Sequence, residues 1–187
     1  YFDMYESPEK KKNALEKLCE LIDESDGCQT VGFIGMNMIL DVLSDGGRAD
    51  VAYKLLLNTK VPSLLYPVTQ DATTTWESYT GGSRNHFVQG SPVRWLYTDI
   101  LGIDHDRVHT NAGYRHFSLS PKPMSLEYAK GAYKSVNGII KSSWTRNENG
   151  YGYECTVPVN TTATLTLPIT ANAEITESGK RVEDGII

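Results

Sequence analysis

Apolar positions recur with a helical period through the first half of the chain and with a period of two through the second. Ser7-Pro8-Glu9 reads as a helix start, with Ser as N-cap and Pro at the first helical position. Ala14, Leu15, Leu18, Cys19, Leu21 and Ile22 then mark one face. Lys10, Lys11, Lys12, Glu16, Lys17, Glu20 and Glu24 mark the other, a solvated face. Asp26-Gly27 ends this helix. Phe33, Ile34, Met36, Met38, Ile39, Leu40, Val42 and Leu43 are apolar nearly all round, which predicts a helix buried on most sides; the methionines read as core packing. Asp45-Gly46-Gly47 turns the chain into a third helix over Arg48 to Leu57, with Val51, Ala52, Leu55 and Leu56 inward. Pro62 and Pro67 make Lys60 to Tyr66 a loop. A fourth helical segment runs from Ser83 to Leu101, either kinked at Pro92 or starting at Ser91.

From about Val108 the pattern alternates. His116 to Ser120, Leu126 to Ser135, Ile139 to Arg146, Tyr151 to Pro158, Thr161 to Leu167 and Ala173 to Glu177 form a row of short strands. Asn137-Gly138 and Asn147 to Gly150 mark turns. Helices first and strands second predict an α+β chain of two segments, residues 1–107 and 108–187, the second an antiparallel β-sandwich.

Composition adds exclusions. A net charge of -5 gives no basic footprint for nucleic acid. No apolar run is long enough to cross a bilayer, so no membrane partner is expected. The chain starts at Tyr1 without a signal-peptide pattern, which suggests a piece of a longer polypeptide. Cys19, Cys28 and Cys155 lack CxxC spacing, so neither a zinc site nor a redox pair is expected, and a Cys19–Cys28 disulfide is not demanded. Asp104-His105-Asp106 with His109 is the one His/Asp cluster; it reads as a solvated connector rather than a metal site. Asn160-Thr161-Thr162 fits a glycosylation sequon and equally a turn before a strand. We expect no cofactor and no metal.

The candidate chemistry lies in Asp71-Ala72-Thr73-Thr74-Thr75-Trp76-Glu77-Ser78-Tyr79 and in Ser83-Arg84-Asn85-His86-Phe87. A carboxylate beside a tryptophan, behind a run of hydroxyls and near a histidine, suits a sugar. An aromatic face packs on a pyranose ring, and short polar side chains bond its hydroxyls. Trp76 either stacks on the sugar or buttresses Glu77. Thr73 to Thr75 read as backbone caps, and Asn85 as a cap or a support for His86.

Val31-Gly32-Phe33-Ile34-Gly35, Leu40 to Arg48, Ala52 to Leu56, Tyr66-Pro67, Ala72-Thr73-Thr74-Thr75-Trp76-Glu77 and Asn85-His86 follow one another in an order that resembles the C-terminal part of bacterial α-L-rhamnosidases. Gly138, Trp144, Val157-Pro158, Asn160 to Ala163 and Glu177-Ser178-Gly179 continue the resemblance through the second half. The resemblance implies the last helices of an (α/α)6 toroid followed by a C-terminal β-sandwich. It implies inverting hydrolysis of terminal α-L-rhamnose, hence a rhamnose-containing oligosaccharide or glycoside as partner. On it Glu77 is the general base, and His86 lines the sugar pocket with Trp76 and Asn85 as further substrate-binding candidates. The family's general acid lies upstream of anything here, and Asp71 stands where the family usually has glycine. The isolated chain is expected to be inactive and, with part of a toroid exposed, open to self-association. The resemblance implies a bacterial protein; the residues do not fix its compartment, and periplasmic or secreted is only slightly favoured over cytoplasmic. A second reading makes the β half a carbohydrate-binding module, with Tyr128, Tyr133, Trp144, Tyr151 and Tyr153 as a platform.

Overall fold

The computed structural model describes residues 4–105, 112–148, 150–169 and 173–182. Helix α1 spans Pro8–Glu24, and the Ser7 hydroxyl accepts the Lys10 N–H at 3.2 Å, so the predicted N-cap is realised. The continuous buried helix expected over 33–43 is instead two pieces, α2 (Phe33–Met36) and α3 (Ile39–Asp45), broken at Asn37 and Met38. The break lets the first turn tip outward, leaving Ile34 78% exposed while Ile39, Leu40 and Leu43 stay in the core. Helix α4 (Ala49–Leu57) buries the four residues its period picks out. Pro67 opens a short helix, α5 (Tyr66–Thr69), rather than ending one, because its missing N–H costs nothing in a first turn.

The segment expected to be one helix from Ser83 divides further. Residues 83–86 lie outside any helix, with His86 extended, Phe87–Gly90 form a 3-10 turn, and α6 (Pro92–Trp95) begins after Ser91. Leu96–Ile100 continue it as a π turn, closed by the Leu101 N–H on the Leu96 carbonyl at 3.0 Å. The buried Asp41 carboxylate of α3 pairs with Arg94 of α6. The Trp95 indole N–H donates to Ser44 Oγ at 2.8 Å, a second tie between the same helices. Removing the guanidinium in Arg94→Ala strands a carboxylate that is only 3% exposed. Urea denaturation should then show a loss of roughly 1–3 kcal/mol.

From Ile103 onward, five residues before the expected boundary, the described residues form two three-stranded sheets and a two-stranded one. The first sheet has the order β1 (Ile103–His105), β2 (His116–Leu119), β6 (Thr162–Leu165); the second is β3 (Tyr128–Ser135), β4 (Gly138–Asn147), β5 (Gly150–Thr156). Strands β7 (Thr176–Glu177) and β8 (Lys180–Arg181) make a small ribbon. Pairing is antiparallel except that β2 and β6 run parallel, with Phe117 opposite Ala163. This pair is distant in sequence, and period two carries no information about strand direction. The β3–β4 turn sits one residue earlier than its Asn-Gly signal, since Ser135 is opposite Gly138. Ser135 Oγ accepts the Asn137 N–H at 3.1 Å and donates to the Gly138 carbonyl at 2.9 Å, which fixes that register.

The halves share a core. Trp144 of β4 lies in the cluster built from Cys19, Ile22, Leu43, Ala52, Leu55 and Trp95. A second cluster joins Leu101 to Ile103, Phe117, Leu119 and Ile140. The carbonyls at the end of the π turn are taken by β4 side chains: Trp144 Nε1 donates to Ile100 O at 2.8 Å and Ser142 Oγ to Leu101 O at 2.6 Å. Lys122 Nζ donates to the buried Asp99 carboxylate at 2.6 Å, and its N–H to Asp99 O at 2.8 Å. Gly102, at φ +74°, lies so close to the Ser120–Pro121 backbone that any Cβ would collide with it. The cysteines are free thiols, two of them buried. Asn160 takes φ +60° and Thr161 Oγ1 donates to Pro158 O at 2.6 Å, so the sequon is the turn into β6.

Candidate active site

Residues 74–77 and 83–86 lie against each other as an irregular hairpin. The Glu77 N–H donates to Ser83 O at 2.8 Å, and the His86 N–H to Thr75 O at 2.8 Å. These pairings leave an extra residue on the second arm, so the hairpin is bulged opposite Trp76. The threonines tie it further: Thr75 Oγ1 donates to His86 O at 2.8 Å, and Thr74 Oγ1 donates to Arg84 O. They act on backbone, as their short hydroxyls in a capping run suggest.

The half-buried Glu77 carboxylate accepts the Ser83 N–H at 2.7 Å through Oε2. A backbone donor fixes one oxygen and leaves the other for a proton. The His86 ring stacks with two phenyl rings, Phe33 at 4.7 Å and 22° and Phe87 at 5.7 Å and 12°. Its Nδ1 is buried and has no hydrogen-bond partner. Stacking therefore sets the ring plane, where a hydrogen bond would be the usual device. Phe87 is 84% exposed and Phe33 45%, so the stack forms an apolar rim.

Trp76 carries the Arg84 guanidinium 3.7 Å from its ring centroid, a cation–π contact that covers one face. With Ser63, Thr74, Thr75, Tyr79 and Gln89 it lines a cavity of about 60 Å³, far smaller than a sugar needs. That favours the buttressing reading of Trp76. Tyr79 is anchored by Gln29 Nε2, which donates to its hydroxyl at 3.2 Å, and burial pushes its phenol pKa up. The Asn85 N–H donates to Ser83 Oγ at 3.2 Å, inside the turn, while its side chain is exposed.

Asp41 and Asp99 are buried on Arg94 and Lys122. Asp71 is exposed at φ +56°. Asp104 stands 3.2 Å from His105 Nδ1, while Asp106 and His109 lie outside the described residues. Among the described residues no group of three or more His, Cys, Asp or Glu could hold a metal ion. The register puts Tyr133, Trp144, Tyr151 and Tyr153 of the binding-module reading on the core-facing side of the second sheet and Tyr128 on the other, so the five make no exposed platform. Trp144 is core, Tyr151 stacks on it at 5.9 Å, and Tyr153 is hydrogen-bonded to Ser142 at 3.1 Å, which leaves Tyr128 and Tyr133 exposed. Sequence reading missed Phe33, Gly82 and Arg84 as parts of the site. The Gly81-Gly82 pair was the available signal for the second.

The bacterial alpha-L-rhamnosidase 6 hairpin glycosidase domain matches residues 1–100, and the bacterial alpha-L-rhamnosidase C-terminal domain matches residues 102–182. The chain belongs to the bacterial α-L-rhamnosidase family. An α-L-rhamnosidase of Formosa agariphila is 35% identical over 186 residues, covering 92% of this chain and 19% of the relative. The Streptomyces avermitilis α-L-rhamnosidase complexed with L-rhamnose superposes with a TM-score of 0.76 at 35% identity, over 82% of this chain and 16% of that one. The native Aspergillus terreus enzyme superposes with a TM-score of 0.84 at 28% identity, over 97% and 21%. The chain thus spans about a fifth of the length of these glycoside hydrolases, with the helical glycosidase part and the C-terminal sheets both represented.

Proposed function

We propose that this chain is the C-terminal part of an inverting α-L-rhamnosidase, and that Glu77 is its general base. Water attacks the anomeric carbon from the face opposite the leaving oxygen, and Glu77 takes the water proton as the carbon–oxygen bond forms. An acid on another part of the full-length polypeptide protonates the departing aglycone oxygen. Such pairs stand about 6.5–9.5 Å apart, the room a water needs. The observation that carries this reading is the Glu77 carboxylate held by the Ser83 N–H at 2.7 Å, in the hairpin that also presents His86. His86 contacts a sugar hydroxyl with its ring plane fixed by Phe33 and Phe87, and Trp76, covered by Arg84, buttresses the hairpin that carries Glu77. Asn85 holds the turn. The helical unit of residues 1–107 carries the site and residues 108–187 brace it.

The test is Glu77→Gln in the full-length polypeptide, assayed on an aryl α-L-rhamnoside. Turnover should collapse while rhamnose binding persists; full activity sinks the assignment. The isolated chain, lacking the acid, should show no turnover of the same substrate. Ile34, Phe87 and Val93 expose apolar surface at 78%, 84% and 56%. The isolated chain should therefore self-associate at micromolar concentration in sedimentation velocity, and a clean monomer would contradict this.

A further inference from the structure

The turn of the hairpin carries two adjacent glycines that sequence cannot tell apart, and the structure separates them. At Gly81 an added Cβ would meet nothing within 4 Å, and its φ lies outside the left-handed region. At Gly82 φ is +83°, and an added Cβ would stand 2.8 Å from Glu77 Oε2 and 3.3 Å from its Cδ. The space that a side chain would take at residue 82 is the space the Glu77 carboxylate fills. The next residue is Ser83, whose N–H donates to that same Oε2 at 2.7 Å.

We infer that Gly82 is a positioning residue for the reaction, resting on Glu77 as base. Its bare, left-handed backbone lets the carboxylate lie against the turn and brings the Ser83 N–H onto it. A methyl at residue 82 makes the carboxylate retreat by about 0.6 Å to reach ordinary contact at 3.4 Å, and strains the backbone besides. A displacement of that order at a reacting group costs up to about 10²-fold in rate.

The experiment measures kcat and KM of the full-length polypeptide on an aryl α-L-rhamnoside, with thermal unfolding as a check on folding. Gly82→Ala should lower kcat about 10–100-fold with KM within about twofold, and Gly81→Ala should match wild type. Gly82→Ala combined with Glu77→Gln should be no slower than Glu77→Gln alone, since the glycine acts only through the carboxylate. Should Gly82→Ala fail to fold, Gly82→Asn decides, because asparagine tolerates left-handed φ yet brings the same Cβ against Oε2. A folded Gly82 variant with wild-type kcat overturns the inference, as does a loss that adds in full to that of Glu77→Gln. A fully active Glu77→Gln overturns instead the base assignment beneath it.

Discussion

If Glu77 is the general base, Glu77→Gln in the full-length polypeptide is expected to lower kcat on an aryl α-L-rhamnoside by a factor on the order of 10²–10⁴, the range a positioned general base contributes. Glutamine keeps the shape of the side chain, and its carbonyl oxygen can still accept the Ser83 N–H now 2.7 Å from Oε2. The hairpin backbone bonds, Glu77 N–H to Ser83 O and His86 N–H to Thr75 O, do not involve the carboxylate and stay intact. The substitution therefore removes a proton acceptor and little else. Thermal stability should stay within about 0.5 kcal/mol of wild type, as for substitutions that touch no core contact. Dissociation of rhamnose, followed by calorimetry, should change little. A loss appearing in KM with kcat retained would make Glu77 a binding group rather than a base.

The second large effect is on stability. Trp144 is 1% exposed, packs in the helical core cluster although it belongs to β4, and gives its indole N–H to Ile100 O at 2.8 Å. Trp144→Ala removes the ring that joins the two halves and leaves a buried carbonyl at the end of the π turn unpaired. Loss of a buried tryptophan costs about 3–5 kcal/mol, which at this chain length lowers Tm by roughly 6–20 °C. Trp144→Phe keeps most of the ring but not the donor and should lose roughly 1–3 kcal/mol. A Tm unchanged in Trp144→Ala would mean that the halves fold independently.

Much of this architecture was legible in the residues. Ser7-Pro8 placed the start of α1, the period of Val51, Ala52, Leu55 and Leu56 placed the buried face of α4, and the change to period two announced the sheets. The rest depended on contacts that pattern does not encode. An apolar run such as 33–43 reads as buried wherever its partners are, so the break at Asn37–Met38 and the exposure of Ile34 could not be seen. Trp144 alternates like a surface aromatic along β4, yet its face meets helices more than forty residues away in sequence. The parallel pairing of β2 with β6 is likewise non-local. At the site, Glu77 and His86 stood out by chemistry and by family resemblance. Their geometry arises from backbone pairing between 74–77 and 83–86, in a polar stretch with no period, where only Gly81-Gly82 hinted at a turn.

A base and a nucleophile are both carboxylates, and they differ in the stereochemistry they produce. Time-resolved proton NMR of the anomeric signals, recorded as the full-length polypeptide hydrolyses an α-L-rhamnoside, reads this directly. With Glu77 activating water on the face opposite the leaving group, β-L-rhamnose appears first and the α anomer grows in only by mutarotation. First appearance of α-L-rhamnose would show retention and contradict the account.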